Sequence, residues 1–400
     1  MDKPKVVLGV SGGIAAYKAC ELLRRLTESG HDVRVVPTAS ALNFVGAPTW
    51  SALSGHPVST EVWSDVHEVP HVRIGQEAQL VVVAPATADL LAKAAHGLAD
   101  DLLTNTLLTA RCPVVFTPAM HTEMWEHPAT QENVATLRRR GAVVIEPAVG
   151  RLTGVDTGKG RLPEPAEIFE VCRNVLARGV STPDLAGRHA VISAGGTREP
   201  LDPVRYLGNR SSGKQGYALA RTAAARGAKV TLIEANTGFA DPAGVDVLHV
   251  GTAVQLREAV VKAALQADVV VMAAAVADFR PAEYAAGKIK KKDGLEPAPV
   301  ALVRNPDILA EISADRPRQG QIVVGFAAET DDVLANGRDK LRRKGCDLLV
   351  VNEVGERKTF GAEENEAVVL AADGGETPVP YGPKEALANT VWDLVAARLA

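Results

Sequence analysis

Two kinds of pattern alternate along this chain. Short aliphatic runs such as VVLGV, LVVVA, VVVMA and DLLVV are hydrophobic at nearly every position, and the stretches between them place apolar residues at helical spacing. Continuous rather than alternating hydrophobicity marks strands covered on both faces. Their alternation with amphipathic helices marks βαβ units on parallel sheets. The pattern predicts first-half strands at 5–10, 32–37, 79–84, 113–117 and 142–146. In the second half it predicts strands at 189–194, 229–234, 246–250, 268–273, 321–325 and 347–351, with 367–372 adding an edge hairpin.

The pattern breaks at 178–187, RGVSTPDLAG, a small, polar, turn-rich stretch after a helix ending near Ala177. On each side it restarts with a strand running into glycines, and APATADL at 84–90 echoes AAAVADF at 273–279. The expectation is an α/β chain of two doubly wound domains, 1–178 and 188–400, with a linker at 179–187. The Lys- and Gly-rich 285–296 reads as a mobile loop of the second domain. In doubly wound sheets ligands bind beyond the carboxyl ends of the strands, and every motif below falls at such an end.

Composition narrows the partners. Net charge is −4 and aromatic residues make up 4%, which disfavours nucleic acid as a partner. The four cysteines, Cys20, Cys112, Cys172 and Cys346, are scattered without a CxxC pair, as suits a reducing cytoplasm. No apolar run reaches membrane-spanning length, and because MDKPKVVLGVSGG leads straight into a strand pattern the expectation is a chain without a secretory leader.

The most informative segment is NRSSGKQG at 209–216, a polar run opening into a helix. Arg210, Ser211, Ser212, Gly213 and Lys214 put hydroxyls, amides and cations at one helix N-terminus, the equipment for an anion such as a phosphate. The bland alternative is a helix start capped by Ser211 or Ser212. In the first half, Ser11-Gly12-Gly13 follows the first strand, and the second strand runs into hydroxyls, Thr38 and Ser40, with no acidic residue to select NAD. APATADLLAK follows the third strand and TPAMHTEMW the fourth, the latter an exposed-looking Met-His-x-x-Met-Trp cluster. His71 lies in EVPHVRIG just before a strand.

GVSGGIAAYK, the PHVRIG histidine, APATADLLAK and PAMHTEMW together resemble the homo-oligomeric flavin-containing cysteine decarboxylases, and the second half resembles phosphopantothenate–cysteine ligase. In this order the chain resembles the bifunctional phosphopantothenate–cysteine ligase/phosphopantothenoylcysteine decarboxylase of bacterial coenzyme A synthesis over essentially its whole length. That resemblance implies a flavodoxin-like flavin domain followed by a Rossmann-like ligase domain. FMN would be held by Gly12, Gly13, Ser40, Ala86 and Thr87, with His71 and His121 catalytic and Met120, Met124, Asp156 and Arg161 around the substrate. In the ligase half, Asn209 would contact the acyl intermediate, and Arg210, Ser211, Ser212 and Lys214 would hold 4′-phosphopantothenate. Asp278, Lys288, Asn305, Pro306, Asp307, Ile308, Phe326, Lys340 and Lys344 would form the CTP site, with Mg²⁺ as metal and no metal ligand singled out. The resemblance further implies cysteine as second substrate, a trimeric flavin half and a dimeric ligase half compatible with a dodecamer, and a cytoplasmic location without membrane partners.

The chemistry accounts for these parts. A carboxylate joins an amine only after activation, which requires cations and amides for nucleotide phosphates and a group at the acyl carbonyl. Lys290, Lys291 and Lys292 extend the cationic loop around Lys288, and a charge run of this kind is also what a solvated face looks like. Two positions depart from the family pattern. His121 stands where an asparagine is usual, and Gly154 where a cysteine commonly reprotonates the product. The alternatives are a ligase whose decarboxylase half is an impaired flavin-binding scaffold and, from another class, an NAD-dependent dehydrogenase, against which the missing GxGxxG argues.

Overall fold

The computed structural model describes residues 3–58, 70–152, 156–178, 183–290, 299–329, 332–353 and 364–399. The chain divides into two compact units, the first built on residues 1–184 with 225–227 and 242–244, the second on the remainder from 185.

The first unit runs β1 (Lys5–Val10), α1 (Ala16–Glu28), β2 (Asp32–Pro37), α2 (Ala47–Ser54), α3 (Pro70–Glu77), β3 (Leu80–Ala86), α4 (Ala88–His96), α5 (Leu102–Thr109), β4 (Val114–Pro118), α6 (Thr122–Glu126), α7 (Pro128–Arg139), β5 (Val143–Val144), β6 (Ala148–Arg151), β7 (Thr157–Arg161) and α8 (Pro165–Arg178). Its main sheet has the order β2-β1-β3-β4-β5 and is parallel throughout. Val6, Leu8 and Val10 pack with Leu22 and Leu23 of α1 on one face. Val7 packs with Leu90, Leu102 and Leu103 on the other, which is why these strands are apolar at consecutive positions. Winding reverses between β1 and β3, so a crevice opens beyond their carboxyl ends. The expected strand at 142–146 is shorter than its sequence pattern, with ladder pairing only at Val143 and Val144.

The second unit runs β8 (His189–Gly195), β9 (Arg198–Pro200), β10 (Tyr206–Gly208), α9 (Lys214–Ala225), β11 (Lys229–Ala235), β12 (Asp246–Val250), α10 (Ala253–Ala264), β13 (Val269–Met272), β14 (Phe279–Pro281), β15 (Leu302–Arg304), α11 (Ile308–Ala314), β16 (Ile322–Glu329), α12 (Val333–Lys344), β17 (Leu348–Glu353), β18 (Glu364–Ala371), β19 (Glu376–Pro383) and α13 (Lys384–Leu399). Its sheet order is β12-β11-β8-β13-β16-β17-β18-β19. The strands are parallel from β12 to β17, and β18 and β19 extend the sheet antiparallel. Winding reverses between β8 and β13, and the loops leaving these two strands stay joined, Ala275 N–H donating to the Gly195 carbonyl at 2.8 Å and Thr197 N–H to the Ala275 carbonyl at 3.2 Å. Helix α13 docks on α9 through the fully buried Trp392, whose indole N–H donates to the Leu219 carbonyl at 3.0 Å. Among the described residues no helix is long and apolar enough to cross a membrane.

Candidate functional site

In the second unit a cavity of about 920 Å³ opens at the switch between β8 and β13. It is lined by Asn209, Arg210, Ser211, Ser212 and Lys214 from the segment before α9, and by Asp278 from the loop after β13. Asn305, Pro306, Asp307 and Ile308 before and at the start of α11, Phe326 of β16, and Lys340 and Lys344 of α12 complete the expected set. Thirteen of the ligase residues expected from the sequence thus line one cavity, although they come from five separate stretches of chain. Lys288 is the exception. It is exposed, and its neighbour Ile289 is tied away from the cavity by a backbone N–H to Asp202 at 3.2 Å and a carbonyl accepting from Arg205 at 3.0 Å. Lys291 and Lys292 lie outside the described residues, as does the second half of the expected mobile loop, 291–296.

The local geometry explains the placement. Asn209 Nδ2 donates to the Val276 carbonyl at 2.9 Å, which pins the start of the segment to the loop after β13. The Ser211 and Ser212 hydroxyls accept from the N–H groups of Gly213 and Lys214 at 3.3 and 3.5 Å. These are local i to i+2 turns just ahead of α9, and they leave both serines lining the cavity. Asn305 is locked by its own N–H to the Asp278 carbonyl at 2.9 Å and its Nδ2 to the Ala277 carbonyl at 2.8 Å. Lys344 pairs with Asp307, and Lys340 pairs with Glu329 at 3.2 Å. Burial pushes the Asp307 carboxyl up, but the Lys344 ammonium and the Ala310 N–H outweigh it and hold the group below its ordinary value. Lys340 and Lys344 thus both rest on carboxylates.

Sequence reasoning passed over several lining residues, among them Gln215, Asn352, Asn365 and Lys384. Lys384 opens the last helix, where a lone lysine in a sequence reads as solvated, yet it is only 5% exposed.

In the first unit the expected flavin residues meet at the carboxyl edge. Ser11 Oγ donates to the Pro85 carbonyl at 2.8 Å and accepts from Thr87 N–H at 2.9 Å, joining the loops after β1 and β3. Thr38 and Ser40 hydroxyls lie 3.0 Å apart after β2. Gly12 meets Ser40 so closely that a Cβ on it would come within 2.3 Å of the Ser40 Oγ. Gly13 lies beside Thr87 in the same turn. Ala86 ends β3, buried, and Thr87 caps α4 by accepting from Leu90 N–H at 3.4 Å.

Asp156 and Arg161 flank β7 of the β6–β7 hairpin, whose Gly160 carbonyl accepts from Met120 N–H at 3.0 Å. A Cβ on Gly160 would come within 2.1 Å of the Met120 carbonyl oxygen, so only glycine lets the hairpin lie on the Met120–His121 turn. His121 caps α6 by position without a side-chain capping bond, leaving its ring for other work. Met124 is exposed, but Trp125 is core and Met120 packs against that core, so the cluster is less exposed than its sequence suggests. Gly154 lies outside the described residues.

His71 lies in the first turn of α3, the short helix that precedes β3. The far end of α3 is fixed at the amino edge by Glu77, which pairs with Lys5 at 2.8 Å. Six residues at about 1.5 Å each carry His71 toward the carboxyl edge. Its Nδ1 is buried without a partner, a cost unless a ligand or substrate meets it. Burial raises all four thiols, Cys172 to about 12 and Cys346 to about 11, so none is primed as a thiolate.

A family model described as "DNA/pantothenate metabolism flavoprotein C-terminal domain" matches residues 185–399, and one described as "Flavoprotein" matches residues 1–177. A "Coenzyme A biosynthesis bifunctional protein CoaBC" of Mycolicibacterium smegmatis is 62% identical, covering 99% of this chain and 98% of its own. The protein of the same name from Vibrio parahaemolyticus is 42% identical, covering 97% of each. Among solved structures, the C-terminal domain of a coenzyme A biosynthesis bifunctional protein aligns at 32% identity and TM-score 0.46, over 55% of this chain and 98% of that one. The FMN-dependent cysteine decarboxylase SpaF aligns at 34% identity and TM-score 0.39, over 44% and 97%.

Proposed function

The chain belongs to the family of bifunctional coenzyme A biosynthesis proteins, and on that premise we infer that its two units act in the reverse of their chain order. The C-terminal unit ligates 4′-phosphopantothenate to cysteine, and the N-terminal flavoprotein unit decarboxylates the resulting 4′-phosphopantothenoylcysteine to 4′-phosphopantetheine. The observation carrying the ligase assignment is the single cavity that gathers cations, amides and hydroxyls from five stretches of the second unit.

In this reading the phosphopantothenate carboxylate attacks the α-phosphorus of CTP, pyrophosphate leaves, and the cysteine amine then displaces CMP from the acyl-cytidylate. Arg210, Ser211, Ser212 and Lys214 hold the phosphopantothenate, the α9 N-terminus adding its dipole. Asn209, fixed on Val276, faces the acyl group. Lys340 and Lys344 exchange Glu329 and Asp307 for nucleotide phosphates, while Asp278, the 305–308 turn and Phe326 hold the rest of the nucleotide. Lys288 belongs to this reading only as a residue of the neighbouring loop. Among the described residues no three His, Cys, Asp or Glu side chains are grouped to hold a metal, so Mg²⁺ enters with the triphosphate.

The first-unit turn fits FMN. Gly12 leaves no Cβ where the loop meets Ser40, and hydroxyls and a helix N-terminus converge beside it. Bound there, FMN supplies the two-electron oxidant that turns the cysteinyl thiol into a thioaldehyde, an electron sink for the departing carboxylate, and later returns the electrons. His71 and His121 manage protons and orient the carboxylate, Met120 and Met124 flank the substrate's apolar part, and Asp156 and Arg161 cover it from the hairpin. The reading extends to a cytoplasmic homo-oligomer, trimeric in the flavin half and dimeric in the ligase half. Exposed Ile14, Tyr17 and Val149 in the first unit, and Tyr206, Phe279 and Leu302 in the second, offer apolar area for it.

Lys344→Met tests the ligase site. It removes one charge-assisted bond, worth about 1.5–3 kcal/mol, so KM for CTP is expected to rise roughly 10- to 150-fold, with KM for cysteine little changed. An unchanged KM for CTP would remove Lys344 from the nucleotide site.

A further inference from the structure

The segment assigned to 4′-phosphopantothenate enters α9 through Gly213, and Gly213 rests on a residue outside the cavity. Its φ is +79°, and a Cβ on it would come within 2.3 Å of the Thr237 Cγ2. Gly195, which ends β8 with a φ of +85°, meets the same methyl, since a Cβ there would lie 2.7 Å from it. The Thr237 methyl is thus enclosed between the end of β8 and the start of α9. A side chain on either glycine would take its place.

Thr237 is itself held from three directions. Its N–H donates to Glu234 Oε1, while Glu234 Oε2 meets His249 Nδ1 at 2.8 Å, and His249 Nε2 approaches Asp241 at 3.4 Å. Glu234 is 5% exposed. Burial pushes its carboxyl up, but the Thr237 N–H and the His249 ring outweigh this and hold the group below its ordinary value. On the other side the Thr237 hydroxyl donates to the Tyr217 hydroxyl at 3.2 Å, and Tyr217, in the first turn of α9, donates its N–H to the Gly213 carbonyl at 3.1 Å. Just before Thr237, Asn236 takes a φ of +56°, and its Nδ2 donates to the Gly196 and Gly251 carbonyls at 3.0 and 2.9 Å. A buried carboxylate is costly unless it is paired, and here both of its oxygens go to fixing one short loop.

We propose that Thr237 is a positioning residue of the ligase, its methyl setting the path of Gly213 and with it the direction in which Ser211, Ser212 and Lys214 face 4′-phosphopantothenate. The inference rests on the ligase reading and adds to it the support behind the phosphopantothenate segment. Thr237 does not line the cavity, so its effect reaches the substrate only through that segment. With the methyl in place, the segment is ordered before the substrate arrives, and less of the binding free energy is lost to ordering it. It is the branched shape of Thr237, more than its hydroxyl, that touches Gly213.

The test uses the full chain with cysteine, CTP and Mg²⁺ and varies 4′-phosphopantothenate. Thr237→Ser removes the methyl and keeps the hydroxyl, whereas Thr237→Val keeps the methyl and removes the hydroxyl. Thr237→Ser is expected to raise KM for 4′-phosphopantothenate roughly 2- to 10-fold, the range for deleting one buried methyl, with kcat and KM for cysteine within about twofold. Thr237→Val is expected to leave all three within about twofold. Gly213→Ala is expected to raise the same KM further, because its Cβ meets the methyl. In the double variant Gly213→Ala/Thr237→Ser the combined rise should fall at least about threefold short of the product of the separate rises. A KM unmoved by Thr237→Ser, an equal rise in Thr237→Val, or rises that simply multiply would overturn the proposal and leave the ligase reading standing. Absence of pyrophosphate from the unmodified chain would instead overturn the ligase reading, and this proposal with it.

Discussion

Replacing His71 with asparagine is expected to lower CO₂ release by about 10²- to 10⁴-fold, the range for loss of a positioned proton-transfer group, while pyrophosphate release by the same chain stays within about twofold. The substitution isolates the ring. The backbone of His71 is held independently, its carbonyl accepting from Thr109 Oγ1 at 2.8 Å, so α3 keeps its anchor on α5. What disappears is an imidazole whose Nδ1 is buried and unpartnered in the free chain. A residue there for packing alone would have met its ring nitrogens with protein groups, since a buried polar atom without a partner costs about 1–3 kcal/mol. The readout is CO₂ and pyrophosphate measured on one sample. Equal loss of both products would make His71 structural.

Gly12→Ala is expected to give protein without flavin absorbance, with decarboxylation lost in proportion and ligation intact. The added Cβ would lie 2.3 Å from Ser40 Oγ, 2.5 Å from its Cβ and 3.0 Å from its backbone carbon. Turning the serine side chain relieves only the first of these, so the loops after β1 and β2 must part. Overpacking of this kind costs about 1–3 kcal/mol in a rigid setting, and here it falls on the turn assigned to the cofactor. Gly13→Ala is expected to do less, because its nearest neighbour, Thr87 Cγ2, would stand at 3.9 Å. Flavin retained at the wild-type level in Gly12→Ala would move the cofactor away from this turn.

The parallel sheets were legible because strands covered on both faces must be apolar at consecutive positions, as Val6 to Val10 and Leu80 to Ala84 are. The hairpins were not. Strands β9, β10, β14 and β15 are three residues each, too short for any periodicity, and β6 and β7 are glycine-rich. The motif at 209–216 was legible as chemistry, since its serines and cations serve no core, whereas the helix that carries His71 was not, because eight residues of helix carry only a weak pattern. Trp125 misled in the other direction: its cluster looked exposed, but the structure places it in the core. Lys384 was invisible for a different reason. Its burial depends on an antiparallel edge and a terminal helix folding back over the cavity, which no local window of sequence contains.

The central claim is that one chain performs both steps. The most direct measurement supplies the unmodified protein with 4′-phosphopantothenate, cysteine, CTP and Mg²⁺ and follows pyrophosphate and CO₂ separately through time. Pyrophosphate appearing first and CO₂ following to an equal final amount is the expected result. Pyrophosphate without CO₂ would contradict it, and would mean that His121 and Gly154 have left the flavin unit a scaffold beside a working ligase.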